Sequence, residues 1–288
     1  MSVYVGIDAG GTLVKLAYWK DGQLTFSKMP STEAQSILDE LRQEVNGEAI
    51  CITGGKADWF AKDLPPATKR MVEFEATTLG VRELLGAQNP MVSSFVLTNI
   101  GTGTSIHYLD EHTSERATGI GLGGGTLMGL SAMLTGVHRY EDIVEGSLRG
   151  KRGAIDLTVQ DIYVDAVPPI PGELTASNFG KAWSNREAAQ KKDDQLAAIT
   201  GMIGESIVTI SAQIAVQYST NDIVYIGSTL SSQSSLKQVC SSYTKIRNKI
   251  PHFIEQGEFS GALGALLAVA NSDVSQIRKD LKNRWILR

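Results

Sequence analysis

Two duplicated α/β halves facing each other across a cleft are the fold that this sequence predicts. Three observations carry the reading. A strand, a turn of glycine and threonine and a second strand occur near residue 10 and again near residue 102, roughly ninety residues apart; few residues are identical between the copies, but the order of elements repeats. Helical stretches separate the strand-like runs, as an α/β architecture requires. Glycine supplies 29 of 288 residues, above the usual ~7%, and it clusters where apolar runs end.

Taken in order, residues 3–8 form an apolar run ending in Asp8, and Ala9-Gly10-Gly11-Thr12 turns the chain. Residues 13–19 return, Asp21-Gly22 is a turn signal, and residues 23–28 make a third strand. Residues 31–46 predict a helix: Ala34, Ile37, Leu38, Leu41 and Val45 share a face, Thr32 and Gln35 fit a capping box, and Gly47 ends it. Residues 49–53 read as a buried strand closed by Gly54-Gly55, and residues 74–85 as a helix ending at Gly86. The pattern restarts near residue 93. Strands are expected at 94–100, 105–109 and 115–120, with Gly101-Thr102-Gly103-Thr104 as the first turn. A helix should run from about Gly124 to Thr135. Prolines 168, 169 and 171 exclude regular structure from 167–172. Residues 196–218 give the clearest helix; its stripe of Ile199, Ile203, Ile207, Ile210 and Ile214 suits core or subunit packing. A buried strand at 222–226 ends at Gly227-Ser228, and 260–270 is a helix of small residues. Val274, Ile277, Leu281 and Trp285 stand at helical spacing and predict a docking helix. The expected division is 1–92 for the first half, 93–271 for the second and 272–288 for an added tail.

Composition removes several classes of function. Hydrophobic residues make up 42% and charged residues 20%, so the chain buries a core and is not disordered. No uninterrupted apolar run approaches the ~18 residues of a membrane span, and the N-terminus lacks the basic start and apolar region of a secretory leader. A net charge of −4 makes neither nucleic acid nor an anionic membrane the default partner. Cys51 and Cys240 build neither a zinc site nor a disulfide framework, and a cytoplasmic location is expected. The four histidines show no metal spacing.

Glycine clusters of this kind meet anionic phosphates with backbone N–H groups. Gly54-Gly55-Lys56 misses the P-loop pattern, since Ala57 follows and Ile50 stands at the first glycine position. Gly119-Ile-Gly121-Leu-Gly123-Gly124 matches a dinucleotide fingerprint formally, but the preceding 112–118 is too polar for a buried parallel strand. The third solution is a pair of Gly/Thr hairpins gripping phosphates from both sides of a cleft, and 8–12 with 101–104 supply it. Asp8 ends a strand, where a carboxylate holds Mg²⁺ directly or through water.

At these residues the chain resembles the acetate kinase, sugar kinase, heat-shock protein 70 and actin superfamily, and more narrowly the type II pantothenate kinases. The resemblance spans nearly everything to about residue 270. It is carried by Gly6–Leu13, Thr53-Gly54-Gly55, Val72-Glu-Phe-Glu-Ala76, Asn99–Ser105, Arg116, Gly119–Gly125, Pro168–Thr175, Asn178-Phe-Gly180, Val224–Ser228 and Phe259–Gly264. It implies duplicated actin-like (ribonuclease H-like) domains, a homodimer, and transfer of the ATP γ-phosphoryl to pantothenate at the start of coenzyme A synthesis.

The resemblance also implies roles. Glu73 is the base that takes the hydroxyl proton; from the residues alone, Glu73 and Glu75 are equally a solvated helix start. Arg116 contacts substrate or the transferring phosphoryl. ATP falls to Asp8, Ala9, Gly10, Gly11, Thr12, Leu13, Val14 and Lys15 on one side. On the other it falls to Thr102, Gly103, the helix start at Gly124, Gly125, Thr126, Leu127 and Met128, and Tyr140 and Ser228. Pantothenate falls to Glu73, Thr102, Arg116 and Thr175, with the proline-rich loop 168–175 as a wall of its pocket. Two alternatives stay open: a sugar kinase of the same fold acting on an N-acetylhexosamine, and a non-catalytic, nucleotide-switched assembly protein of actin type.

Overall fold

The computed structural model describes residues 3–184, 186–230, 234–283 and 286–287. Strands β1 (Val3–Ala9), β2 (Leu13–Lys20) and β3 (Gln23–Pro30) form an antiparallel meander. Helix α1 (Gln35–Glu44) crosses to β4 (Ile50–Thr53), which runs parallel to β1. Helix α2 (Ala57–Phe60), the short β5 (Lys69–Arg70) and helix α3 (Glu73–Gln88) complete the first half. The second half opens with β6 (Phe95–Ile100), β7 (Thr104–Leu109) and β8 (Ser114–Ile120), then α4 (Gly124–Thr135) and α5 (Tyr140–Arg149). An excursion follows through β9 (Leu157–Thr158), α6 (Val159–Tyr163), β10 (Thr175–Ser177) and α7 (Arg186–Ala189). The long α8 (Lys192–Gln217), β11 (Asp222–Ile226), α9 (Ser235–Ile246) and β12 (Ile250–Phe253) close it. Then come α10 (Ser260–Leu267), α11 (Val274–Asn283) and β13 (Ile286–Leu287).

The duplication is visible in the sheets. The first runs β3-β2-β1-β4-β5, with β13 added outside β3, and the second runs β8-β7-β6-β11-β12. Each is a three-stranded meander whose first strand then takes a parallel neighbour through a helical crossover. Two structurally matching hairpins therefore face each other, one per half.

Sequence and structure part in several places. The capping box at Thr32 and Gln35 does not form: α1 begins at Gln35 with no side-chain cap. Ser31 serves the first hairpin instead: its Oγ donates to the carbonyls of Gly10 and Gly11. The helix is over before Gly47, since Val45 is already extended. Helix α3 passes through Gly86 and reaches Gln88. Helix α8 has the length and apolarity of a membrane span, yet Thr200, Glu205 and Ser211 are buried along it, which marks a core helix. Its Ile199, Ile203 and Ile207 are fully buried, and Ile210 and Ile214 pack on the same core. The stripe is thus intramolecular.

Helix α10, which the expected division puts in the second half, packs against α3 and on β1, β2 and β4 of the first sheet. The approach is backbone to backbone. A Cβ on Gly80 would lie 1.9 Å from Ser260 O, and one on Gly264 1.8 Å from Ala76 O. Only glycine permits that spacing. The tail follows α10 onto the same half: Ile277 and Leu281 join the core of Trp19, Leu24, Phe26 and Leu263. Asp280 accepts from the Leu24 N–H at the edge of β3. Trp285 lies outside the described residues. Helix α3, which also contributes Val81 and Leu85 to a core with β6 and β11, is therefore wedged between the halves.

Candidate active site

Two cavities meet at the hairpin tips. The inner one, of about 500 Å³, is lined by Asp8, Gly10, Gly11, Thr12, Leu13 and Lys15 from the first half, with Glu73 and Thr77 of α3. From the second half it takes Asn99, Gly101–Ser105, Arg116, Gly119 and Ser228. The outer one, of about 730 Å³, is lined by Thr12, Leu13, Lys28, Gly101, Thr102, Gly124, Gly125, Met128, Tyr140, Glu141, Val144, Glu145, Ser228 and Thr229. Thr12 and Thr102 belong to both, and their Oγ1 atoms stand 3.5 Å apart. The two turns are thus the septum between a polar chamber and a more apolar one.

The local sequence explains the hairpins. In β1–β2, Asp8 pairs with Lys15 and Ala9 with Val14, so residues 10–12 form a tight turn. Ala9 and Val14 then point into the core, 0% and 1% exposed, while Asp8 and Lys15 face the cleft and pair, with Nζ 3.3 Å from Oδ2. In the second hairpin Gly101 N–H donates to Gly103 O. Gly124 N–H donates to Gly101 O and Gly125 N–H to Thr102 O. The start of α4 therefore buttresses the turn, and these two N–H groups are not free for phosphate as the sequence reading expects.

Glu73 opens α3 with its side chain open to the inner cavity. The crowding cleft walls partly desolvate it and raise its carboxyl pKa above the ordinary glutamate value; the Asp8 charge adds to the rise and Lys15 opposes it. Arg116 lies on β8 just after a register shift against β7. Its guanidinium crosses Gly119, where a Cβ would stand 2.4 Å from Nη2. Tyr140 donates its hydroxyl to Thr229 O, which fixes one wall of the outer chamber.

Of the residues expected at the site, Asp8, Gly10, Gly11, Thr12, Leu13, Lys15, Glu73, Thr102, Gly103, Arg116 and Ser228 line the inner cavity. Gly124, Gly125, Met128 and Tyr140 line the outer one. Five stand apart. Ala9, Val14 and Leu127 are core residues, and Thr126 turns its hydroxyl to Gly121 O. Thr175 lies elsewhere: its Oγ1 donates to Glu205 and accepts from Arg152. That network, with Asp156 also on Arg152, anchors the excursion to α8. The proline-rich loop walls neither cavity of its own chain.

Sequence reasoning missed Thr77, Asn99, Ser105, Lys28 and Glu258. Asn99 and Ser105 stand inside the second hairpin motif, so the signal was present. Lys28 and Glu258 gave none, because their ion pair of 2.9 Å joins residues 230 apart in the chain. Among the described residues no three His, Cys, Asp or Glu side chains cluster as a metal cage.

Residues 20–268 match the model of the Fumble family. A type II pantothenate kinase of Bacillus cereus is 47% identical over 274 residues, covering 94% of this chain and 99% of that protein. One from Staphylococcus aureus is 39% identical over 262 residues, covering 91% and 98%. Among solved structures, the activator of 2-hydroxyisocaproyl-CoA dehydratase from Clostridium difficile with bound ADPNP superposes with a TM-score of 0.62 at 17% identity, covering 98% of this chain and 99% of that one. A ROK family glucokinase from Streptomyces griseus in complex with glucose and AMPPNP gives 0.55 at 14% identity, covering 92% and 98%. At such identities these two neighbours speak to the fold, which is that of the actin-like kinases.

Proposed function

The chain belongs to the Fumble family of type II pantothenate kinases, and from that premise we propose how its cleft divides the work of phosphorylating pantothenate with ATP in coenzyme A synthesis. The nucleoside occupies the outer chamber, against Met128, Tyr140 and Val144. The phosphates pass between the hairpin tips at Thr12 and Thr102, and pantothenate takes the inner chamber. The observation that carries this is the position of Glu73: a carboxyl with a raised pKa in the same 500 Å³ cavity as both phosphate hairpins.

Glu73 receives the proton of the pantothenate hydroxyl as that oxygen attacks the γ-phosphorus. A raised pKa makes the carboxylate a stronger base toward that proton. Lys15 and the hairpin N–H groups offset charge on the phosphates, and Arg116 holds the substrate carboxylate or the transferring group. Magnesium sites on nucleotides need one or two carboxylates besides the phosphates. Asp8, close enough to Glu73 to raise its pKa, fits that need and would hold the ion, whose charge offsets that of the triphosphate. The chain works as a homodimer in this reading. Ile162, Val164, Val167, Ile170 and Trp183, all exposed on the excursion, are the apolar surface for it, which assigns loop 168–175 to the subunit contact.

The test is ADP release with pantothenate, pantetheine and a panel of hexoses including N-acetylglucosamine. Pantothenate-dependent release with silent sugars is expected. Release with a sugar alone would replace this reading by the sugar kinase, and pelleting on ATP without any transfer by the assembly protein.

A further inference from the structure

Behind the inner chamber lies one polar side chain that the mechanism above does not use. His107 is 5% exposed. It sits two residues after Ser105 on β7, so both side chains leave the same face of the sheet. Its Nε2 is 2.9 Å from Ser105 Oγ. Its ring stacks on Phe74, with centroids 4.5 Å apart and 12° between the planes. Phe74 follows Glu73 in the first turn of α3. Across the strand pair, His107 stands opposite Arg116, at a register shift: Ile106 pairs with Thr118 but His107 with Arg116. A bulge of that kind re-aims the side chains beside it. One imidazole thus touches or faces the supports of three groups in the chamber.

A buried polar ring carries a cost that an apolar ring of the same shape would not. Here the cost is visible, because Nδ1 has no hydrogen-bond partner among the described residues. Burial, and then the charge of Arg116, hold the pKa down at about 4, so the ring is neutral near pH 7. A neutral ring has one proton. A proton on Nδ1 would be a buried donor with no acceptor, so the less costly tautomer carries it on Nε2, donating to Ser105 Oγ. The Ser105 hydroxyl proton is then free to point into the chamber.

We propose that His107 is a positioning residue for the acceptor substrate: its Nε2–H sets the Ser105 hydroxyl as a donor toward the substrate, and its ring face sets Phe74 and with it the Glu73 carboxylate. The proposal rests on the pantothenate reading above for the identity of that substrate.

Two substitutions in the full-length enzyme separate the two contacts. His107→Phe keeps the stack and removes the donor. The pantothenate KM should rise about five- to tenfold, the worth of one hydrogen bond, with kcat and the ATP KM within about twofold. His107→Gln keeps an amide donor near Nε2 and removes the stack. It should lower kcat about tenfold by loosening Glu73, with a smaller change in pantothenate KM. ATP titration should give an unchanged affinity in both. Nitrogen NMR of the labelled wild type should show the neutral Nε2–H tautomer from pH 8 to pH 5. Three results overturn the proposal: both variants within twofold of wild type in every constant; pantothenate and ATP constants moving together with a lowered Tm, as for a purely structural core ring; or a ring that carries its proton on Nδ1 or titrates near its ordinary pKa. A wild type that releases no ADP with pantothenate would instead remove the substrate reading. The KM-against-kcat split would then be measured with the acceptor that the panel identifies, and the tautomer measurement needs no substrate.

Discussion

Glu73→Gln is the substitution that asks most of this reading. Glutamine keeps the length of the side chain and its hydrogen bonding at the start of α3 but cannot accept a proton. General-base assistance is worth about 10²–10⁴-fold, roughly 3–5 kcal/mol of barrier, and kcat with pantothenate should fall by that factor. The nucleotide grip should survive, because the septum of residues 10–12 and 101–103 is held by Ser31 and by the start of α4, not by Glu73. ATP affinity should therefore change by less than about threefold, under 1 kcal/mol. Glu75, two residues on, is exposed and lines neither cavity. Glu75→Gln is the internal control, costing a few tenths of a kcal/mol at the helix N-terminus and leaving kcat alone. Steady-state kinetics with nucleotide titration on both variants is the assay. A Glu73→Gln enzyme retaining more than about a tenth of wild-type kcat, or a Glu75→Gln enzyme losing more than that, would refute the assignment.

Four other outcomes follow from the same geometry. Asp8→Asn should raise the Mg²⁺ concentration needed for half-maximal rate, read from rate against free Mg²⁺; an unchanged curve would take Asp8 out of the metal site. Lys15 holds the Glu73 pKa down, so Lys15→Met should move the acid limb of kcat/KM to higher pH, read from a pH–rate profile. Gly264→Ala forces a Cβ against the Ala76 carbonyl and should destabilise by about 2–3 kcal/mol or more, read by urea denaturation. His107 is neutral in the fold down to about pH 4, whereas the unfolded chain protonates it near 6.5. Between those values the unfolded state binds the extra proton, so stability should fall as pH drops, by at most about 3 kcal/mol; urea midpoints across that range should be flatter for His107→Phe.

The first hairpin, the second hairpin and the strands around them were legible because their signals are local. A run of alternating or apolar residues closed by Gly-Gly-Thr or Gly-Thr-Gly-Thr has few other ways to fold. Which of Glu73 and Glu75 opens to the inner chamber was not legible in the residues themselves, since the two are chemically alike and only the packing of α3 turns Glu73 toward it. What local pattern misreads is sequence spent on a distant partner. Thr32 and Gln35 spell a cap, but Ser31 is bound to the first turn, so the helix starts later. Gly124 and Gly125 look like a phosphate-ready helix start, but their N–H groups hold the second turn. Small residues at 260–270 read as a helix able to pack closely on a sheet, but only the fold shows that the sheet is that of the first half.

That return determines how the cleft is held. Helices α3 and α10 meet backbone to backbone through Gly80 and Gly264, and α3 also presents Val81 and Leu85 to the second sheet. The floor of the inner chamber is thus close-packed on both sides, and cores of that density do not deform gradually. The mouth is held differently. Thr12 and Thr102 touch at 3.5 Å in an exposed contact, and Lys28 with Glu258 is a partly exposed ion pair, a kind worth about 0–1 kcal/mol. A nucleotide entering between the hairpins loses little by displacing these contacts, whereas moving the backbone of α3, on which Glu73 stands, would mean separating α3 from α10. The helix that carries Glu73, the proposed base, therefore belongs to the rigid part of the cleft, and the hairpin tips proposed to grip the phosphates belong to the compliant part. A kinase needs that arrangement if it is to admit a triphosphate and still hold the proton acceptor still.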